Sequence, residues 1–197
     1  MKNQRKARSM KVFSFLFSAL LGQNVNGAVV SGATTMTNTT QDTLTVNGAA
    51  TLNDVQIETD LLINGSGTLE KVKVGKKLEV NGALTAKEVI VETLSVNGSL
   101  TGKVTVSGET QVMGGITLQS SDLQNLIFQG KSAVMTDCKA KTITVIKNNT
   151  FSEVQILELK GTTTIEKIKF ESGKGVVKKS PTSTVDALEG GTIEEVN

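Results

Sequence analysis

Four segments of this chain close in the same way: Leu44-Thr45-Val46-Asn47-Gly48, Leu61-Leu62-Ile63-Asn64-Gly65, Leu78-Glu79-Val80-Asn81-Gly82 and Leu94-Ser95-Val96-Asn97-Gly98. Their glycines stand 17, 17 and 16 residues apart. A period of this size marks a solenoid, in which each repeat is too small to bury its own apolar side and must stack on its neighbours.

Counting from each glycine, apolar residues fall at minus 4 and minus 2, near plus 4, and again at plus 7 and plus 9. Gly48 gives Leu44, Val46, Leu52, Val55 and Ile57; Gly65 gives Leu61, Ile63, Leu69, Val72 and Val74; Gly82 gives Leu78, Val80, Ala86, Val89 and Val91. The template continues where Asn-Gly is lost. Gly130 places Leu126, Phe128 and Val134 in register; Lys147 places Ile143, Val145, Phe151, Val154 and Ile156; Gly161 places Leu157, Leu159, Ile165, Ile168 and Phe170. Weaker fits at Gly32, Gly114 and Lys178 bring the expectation to about ten coils, with irregular terminal coils.

Apolar residues two apart mean an extended segment with one face inward, and the gaps between pairs mean corners. Three short strands per repeat make a triangular coil. Val, Ile, Thr and Leu fill the strands, and Pro181 is the only proline. Stacked coils pair equivalent strands in parallel, and such crossovers are right-handed in nearly all cases. The expected fold is therefore all-β: a single right-handed parallel β-helix with triangular coils of about 16–17 residues, on the order of 45 Å long. Asn and Gly both tolerate positive φ, which suits a sharp corner. Asn47, Asn64, Asn81 and Asn97 should lie above one another and bond through their amides as a structural ladder.

Residues 1–27 follow the rules of export rather than of folding. Lys2, Arg5, Lys6, Arg8 and Lys11 form a basic region, and Val12 to Leu21 is an apolar run of about ten residues, where a bilayer span needs roughly 20. The expected organisation is a signal peptide over 1–27, cleaved between Gly27 and Ala28, and one β-helix domain over 28–197. A stable membrane span is not expected, and no cysteine near the cut suggests a lipid anchor. The expected destination is the periplasm, cell surface or medium.

Removing this segment takes five of the 21 basic residues, including both arginines, and leaves sixteen lysines against 19 carboxylates, a net charge of −3. That balance offers no basic surface for nucleic acid. The remaining chain has no His, Arg, Trp or Tyr and only three rings, Phe128, Phe151 and Phe170. Imidazole bases, guanidinium clamps and the usual stacking platforms for sugars or bases are thus missing. No catalytic, cofactor-binding or metal-binding residue is assigned, no cofactor is expected, and the chain is not expected to be an enzyme. Stacked carboxylates such as Asp54 and Glu70, or Glu79 and its neighbours, could approach the separation of a glycosidase pair. Lys71 and Lys87 stand beside them, as on an ordinary mixed-charge surface. Cys138 falls at plus 8 of its coil, close to an inward position, and reads as a small buried thiol.

The Leu-x-Val-x-Gly coils from about Val30 to Val185 resemble the bactofilins, polymer-forming bacterial β-helix proteins. The resemblance implies the fold and a capacity to polymerise, and it supplies no active-site residues. Bactofilins are usually cytoplasmic or held at the inner membrane, so the export signal departs from their pattern. The expected function is a structural or adhesive element of the bacterial envelope or surface, acting as a homo-oligomer through the solenoid ends or through an envelope or cell-surface partner. The alternative is a β-helix that binds or degrades polysaccharide. Thr34 to Thr45, without charge before Asp42, is the candidate associating end; Lys178, Lys179, Pro181, Asp186, Glu189, Glu194 and Glu195 mark the other end as guarded.

Overall fold

The computed structural model describes residues 27–147 and 154–196. The expected signal segment and the Phe151 position lie outside the described residues, apart from Gly27. Within them there is no helix, and eighteen strands, from Ala28–Ser31 to Gly191–Glu195, form one parallel sheet wound into a solenoid of about ten turns.

Each coil has three faces, and the coil of Leu61 shows how its residues assign them. Leu61 and Ile63 point inward from the first face, Gly67 and Leu69 from the second, Val72 and Val74 from the third, and all six are buried. The next coil repeats them as Leu78 and Val80, Leu84 and Ala86, Val89 and Val91. Strict alternation along each strand leaves the intervening residues outside. Burying one such aliphatic side chain contributes about 1.5–3 kcal/mol, and here that happens only when coils lie above and below.

The first corner is built on glycine. Gly48, Gly65, Gly82, Gly98 and Gly114 have φ between 148° and 153°, a region that L side chains rarely adopt. A Cβ on any of them would come within 3.0 Å of the carbonyl oxygen of the glycine one coil earlier. The asparagines before them do not share the positive φ expected of an Asn-Gly corner; glycine alone supplies it. The Asn amides do form the expected ladder, with Asn64 Nδ2 donating to Asn47 Oδ1 at 2.8 Å and Asn81 Nδ2 to Asn64 Oδ1 at 2.9 Å. The ladder spans these three residues and does not include Asn97.

Two register expectations fail for a countable reason. After Gly130 the corner holds one extra residue, so Ala133 and Met135 are buried and Val134 turns half outward. In the following coil, Ser132 pairs with Ile156, 24 residues on, so the coil carries an insertion. Gln155 and Leu157 then face inward, Ile156 is half-buried and Val154 is exposed. Gln155 tolerates this place because its Nε2 donates to the carbonyls of Gly130 and Ile146 at 3.1 and 2.9 Å.

Candidate functional site

The chemistry-bearing side chains gather in three places, and the fold explains each. At the second corner the chain turns through a residue at positive φ that is not glycine: Asn38, Asp54, Lys71, Glu88, Ser120 and Asp137, with φ of 49° to 63°. Stacked coils bring Asp54, Lys71 and Glu88 into one column of alternating charge, extended by Lys103 at 3.5 Å from Glu88. The adjoining column holds Glu70, whose Oε1 accepts from Lys87 Nζ at 2.7 Å. That hydrogen bond holds the Glu70 carboxyl below the usual range and raises Lys87. Glu79 is likewise lowered by the bond from Lys77, also 2.7 Å. A general acid needs its pKa raised, so Glu70 and Glu79 are tuned the opposite way. The strand register sets Glu70 against Asn53 and Lys87 rather than against Asp54. These groups serve as exposed, salt-screened ion pairs.

The second place is the inner side of that corner. Val55, Val72, Val89 and Val104 fill it in the first half of the rod, and Ser121, Cys138, Thr163 and Ser183 continue the column. The hydroxyls complete backbone bonds that the bent chain cannot make for itself. Val104 N–H donates to Ser121 Oγ at 3.0 Å, and Cys138 N–H donates to Thr163 Oγ1 at 3.2 Å. Cys138 is buried as expected; its thiol donates to the Thr136 carbonyl at 3.2 Å, and burial pushes its pKa up. That is a structural thiol, not an activated one. Among the described residues no group of three or more His, Cys, Asp or Glu is placed to hold a metal ion.

The third place is the pair of rod ends. Residues 28 to 41 form the first coil, without a charged side chain. Its strands Ala28–Ser31 and Thr34–Gln41 pair only with Leu44–Asn47 and Ala50–Ile57, leaving their other edge open among the described residues. Ala28, Val30 and Met36 are only partly buried where they close the core, and Thr34 Oγ1 and Gln41 Oε1 are buried without a partner. The far end differs. Lys179 occupies the inward position that Leu159 holds one coil earlier, and its Nζ pairs with Glu195 at 3.0 Å. Asp186, Glu189 and Glu194 add charge to the last strands, after Pro181. Inward lysines, edge charges and proline are the devices that keep sheet edges from pairing.

No protein family, curated protein or solved structure matches this chain.

Proposed function

We propose that this chain is an exported structural rod of the bacterial envelope or surface that works by association through its N-terminal coil, with a second copy or with a partner's strand. The observation that carries this reading is the asymmetry of the ends: one is uncharged, with open strand edges and two buried polar atoms lacking partners, and the other is blocked by charge. The likeness of the coils to the polymer-forming bactofilins points the same way. An end-to-end contact of this kind gives dimers rather than endless fibres, because each rod has one competent end.

Met36 lies in the same inward column as Lys179 at the guarded end, so Met36→Lys transplants the guard. Sedimentation velocity on the purified protein should show concentration-dependent association at micromolar levels, and Met36→Lys should be monomeric with its thermal transition retained. A monomeric wild type, or a variant that associates equally, overturns the reading. Export is tested separately by intact mass: protein recovered outside the membrane should begin at Ala28, and retention of Met1 in the membrane fraction rejects it.

A further inference from the structure

The outward side of the second face carries a regularity unrelated to the core. Three residues after each of six glycines stands a threonine: Thr35, Thr51, Thr68, Thr85, Thr101 and Thr117. The ladder pairs them in unbroken register, Thr35 with Thr51, Thr51 with Thr68, Thr68 with Thr85, Thr85 with Thr101 and Thr101 with Thr117, and all six are exposed. The column beside it, two residues earlier, holds Ala33, Ala49, Ser66, Ala83, Ser99 and Gly115, also exposed. The strip is thus uncharged and built of small side chains over two columns. Its period is about 4.8 Å along the rod and roughly 6.6 Å across it, over a length near 24 Å. It ends where Val134, Glu158 and Lys178 take the threonine place.

Threonine is stiff at χ1, and every backbone in the column except that of Thr35 is held from both sides. The threonine hydroxyls and methyls therefore repeat as one row of fixed period, beside a column of small residues that adds only the hydroxyls of Ser66 and Ser99. A flexible ligand gains nothing from such regularity, whereas a crystalline one adds a matched contact at every period.

The chemistry narrows the partner. There is no charge in the two columns to meet a nucleic acid, and no aromatic ring to stack on a sugar. A strip of about 24 by 10 Å is far below the ~800 Å² per partner of a stable protein interface. What remains is a lattice of hydroxyl groups alone, repeating every few ångströms. We propose that this face binds the surface of ice: the hydroxyls join the water lattice, and the methyls between them hold the first water layer in order. The ion pair of Glu70 with Lys87 lies at the border of the strip and is self-neutralised.

This activity is independent of association at the rod end. Purified protein, fluorescently labelled, should partition into a slowly grown ice hemisphere and shape single ice crystals held just below melting. The double variant Thr68→Lys with Thr85→Lys should fall to the partition of a non-binding control protein, with circular dichroism and sedimentation unchanged. Thr105→Lys, exposed on the third face, should bind as wild type. Exclusion of the wild type from ice, full retention by the double variant, or pull-down by crystalline cellulose or chitin in place of ice overturns the proposal.

Discussion

Replacing Gly82 by alanine tests the corner on which the whole stack rests. The residue sits at φ 153° with a coil directly beneath it, so an added Cβ meets two separate penalties. Holding an L residue in that backbone region costs on the order of 1–3 kcal/mol. The methyl would also lie within 3.0 Å of the Gly65 carbonyl oxygen, a backbone atom of the adjacent coil. Relieving that overlap costs about 1 kcal/mol or more, as overpacking against a fixed backbone does. The stiffer unfolded chain of the alanine variant returns about 0.4–1 kcal/mol. The net destabilisation comes to about 1–4 kcal/mol, or about 2–15 °C in melting temperature for a chain of this size. Gly32 and Gly115 separate the two penalties. Gly32 has positive φ but open space around it, and Gly115 has open space and ordinary φ. Thermal unfolding should therefore rank Gly115→Ala as neutral, Gly32→Ala as mildly destabilised and Gly82→Ala as the worst. Amide exchange in Gly82→Ala should rise first in the coils of Gly65 and Gly82, since coils couple to their nearest neighbours. If Gly82→Ala melts within about 2 °C of Gly115→Ala, the glycine column is not what sets coil spacing.

Val80 is fully buried while Glu79 faces outward, so Val80→Lys should cost several kcal/mol and Glu79→Lys about 1 kcal/mol or less; equal shifts in melting would reject the register. Thr110 stands in a column of leucines and isoleucines with its Oγ1 buried and unpartnered, so Thr110→Val should stabilise by about 1 kcal/mol, and a loss of stability would mean the hydroxyl is satisfied. The Cys138 thiol, buried and shifted to higher pKa, should resist a thiol reagent at pH 8 and react fully in guanidinium; rapid reaction of the native protein would contradict its place in the core.

Periodicity of two inside a period of seventeen reports backbone direction and burial together, which is why the inward positions of the coils near Gly48, Gly65 and Gly82 were readable from spacing alone. Offsets counted from a glycine fail as soon as a corner changes length, as at Lys131 and again between Lys147 and Gln155. Corner length leaves no mark in apolar spacing. The second corner was invisible for another reason: Lys71 and Glu88 adopt positive φ because the stacked coils require it, against the preference of their side chains, while Asp54 is of a type that tolerates that region. The ion pair of Glu70 with Lys87 depended on which residues stack, which became clear only from the strand register, whereas Glu79 pairs with Lys77 two residues earlier on its own strand. The threonine column could have been found from the sequence, since it keeps a constant offset from the glycines, but a template built on apolar residues passes over it. The open first coil was legible as an uncharged threonine-rich stretch, and its unpartnered Thr34 and Gln41 atoms were not.

Parallel stacking also decides how such a rod would answer force. The chain runs around the rod while its amide bonds point along it, so tension on the two chain ends opens one coil at a time, from an end inward. Each coil released exchanges about 4.8 Å of rod for about 58 Å of extended chain. A rod of about ten coils held at both ends would therefore lengthen more than tenfold in small steps, dissipating load as an extensible tether while the remaining coils keep their shape.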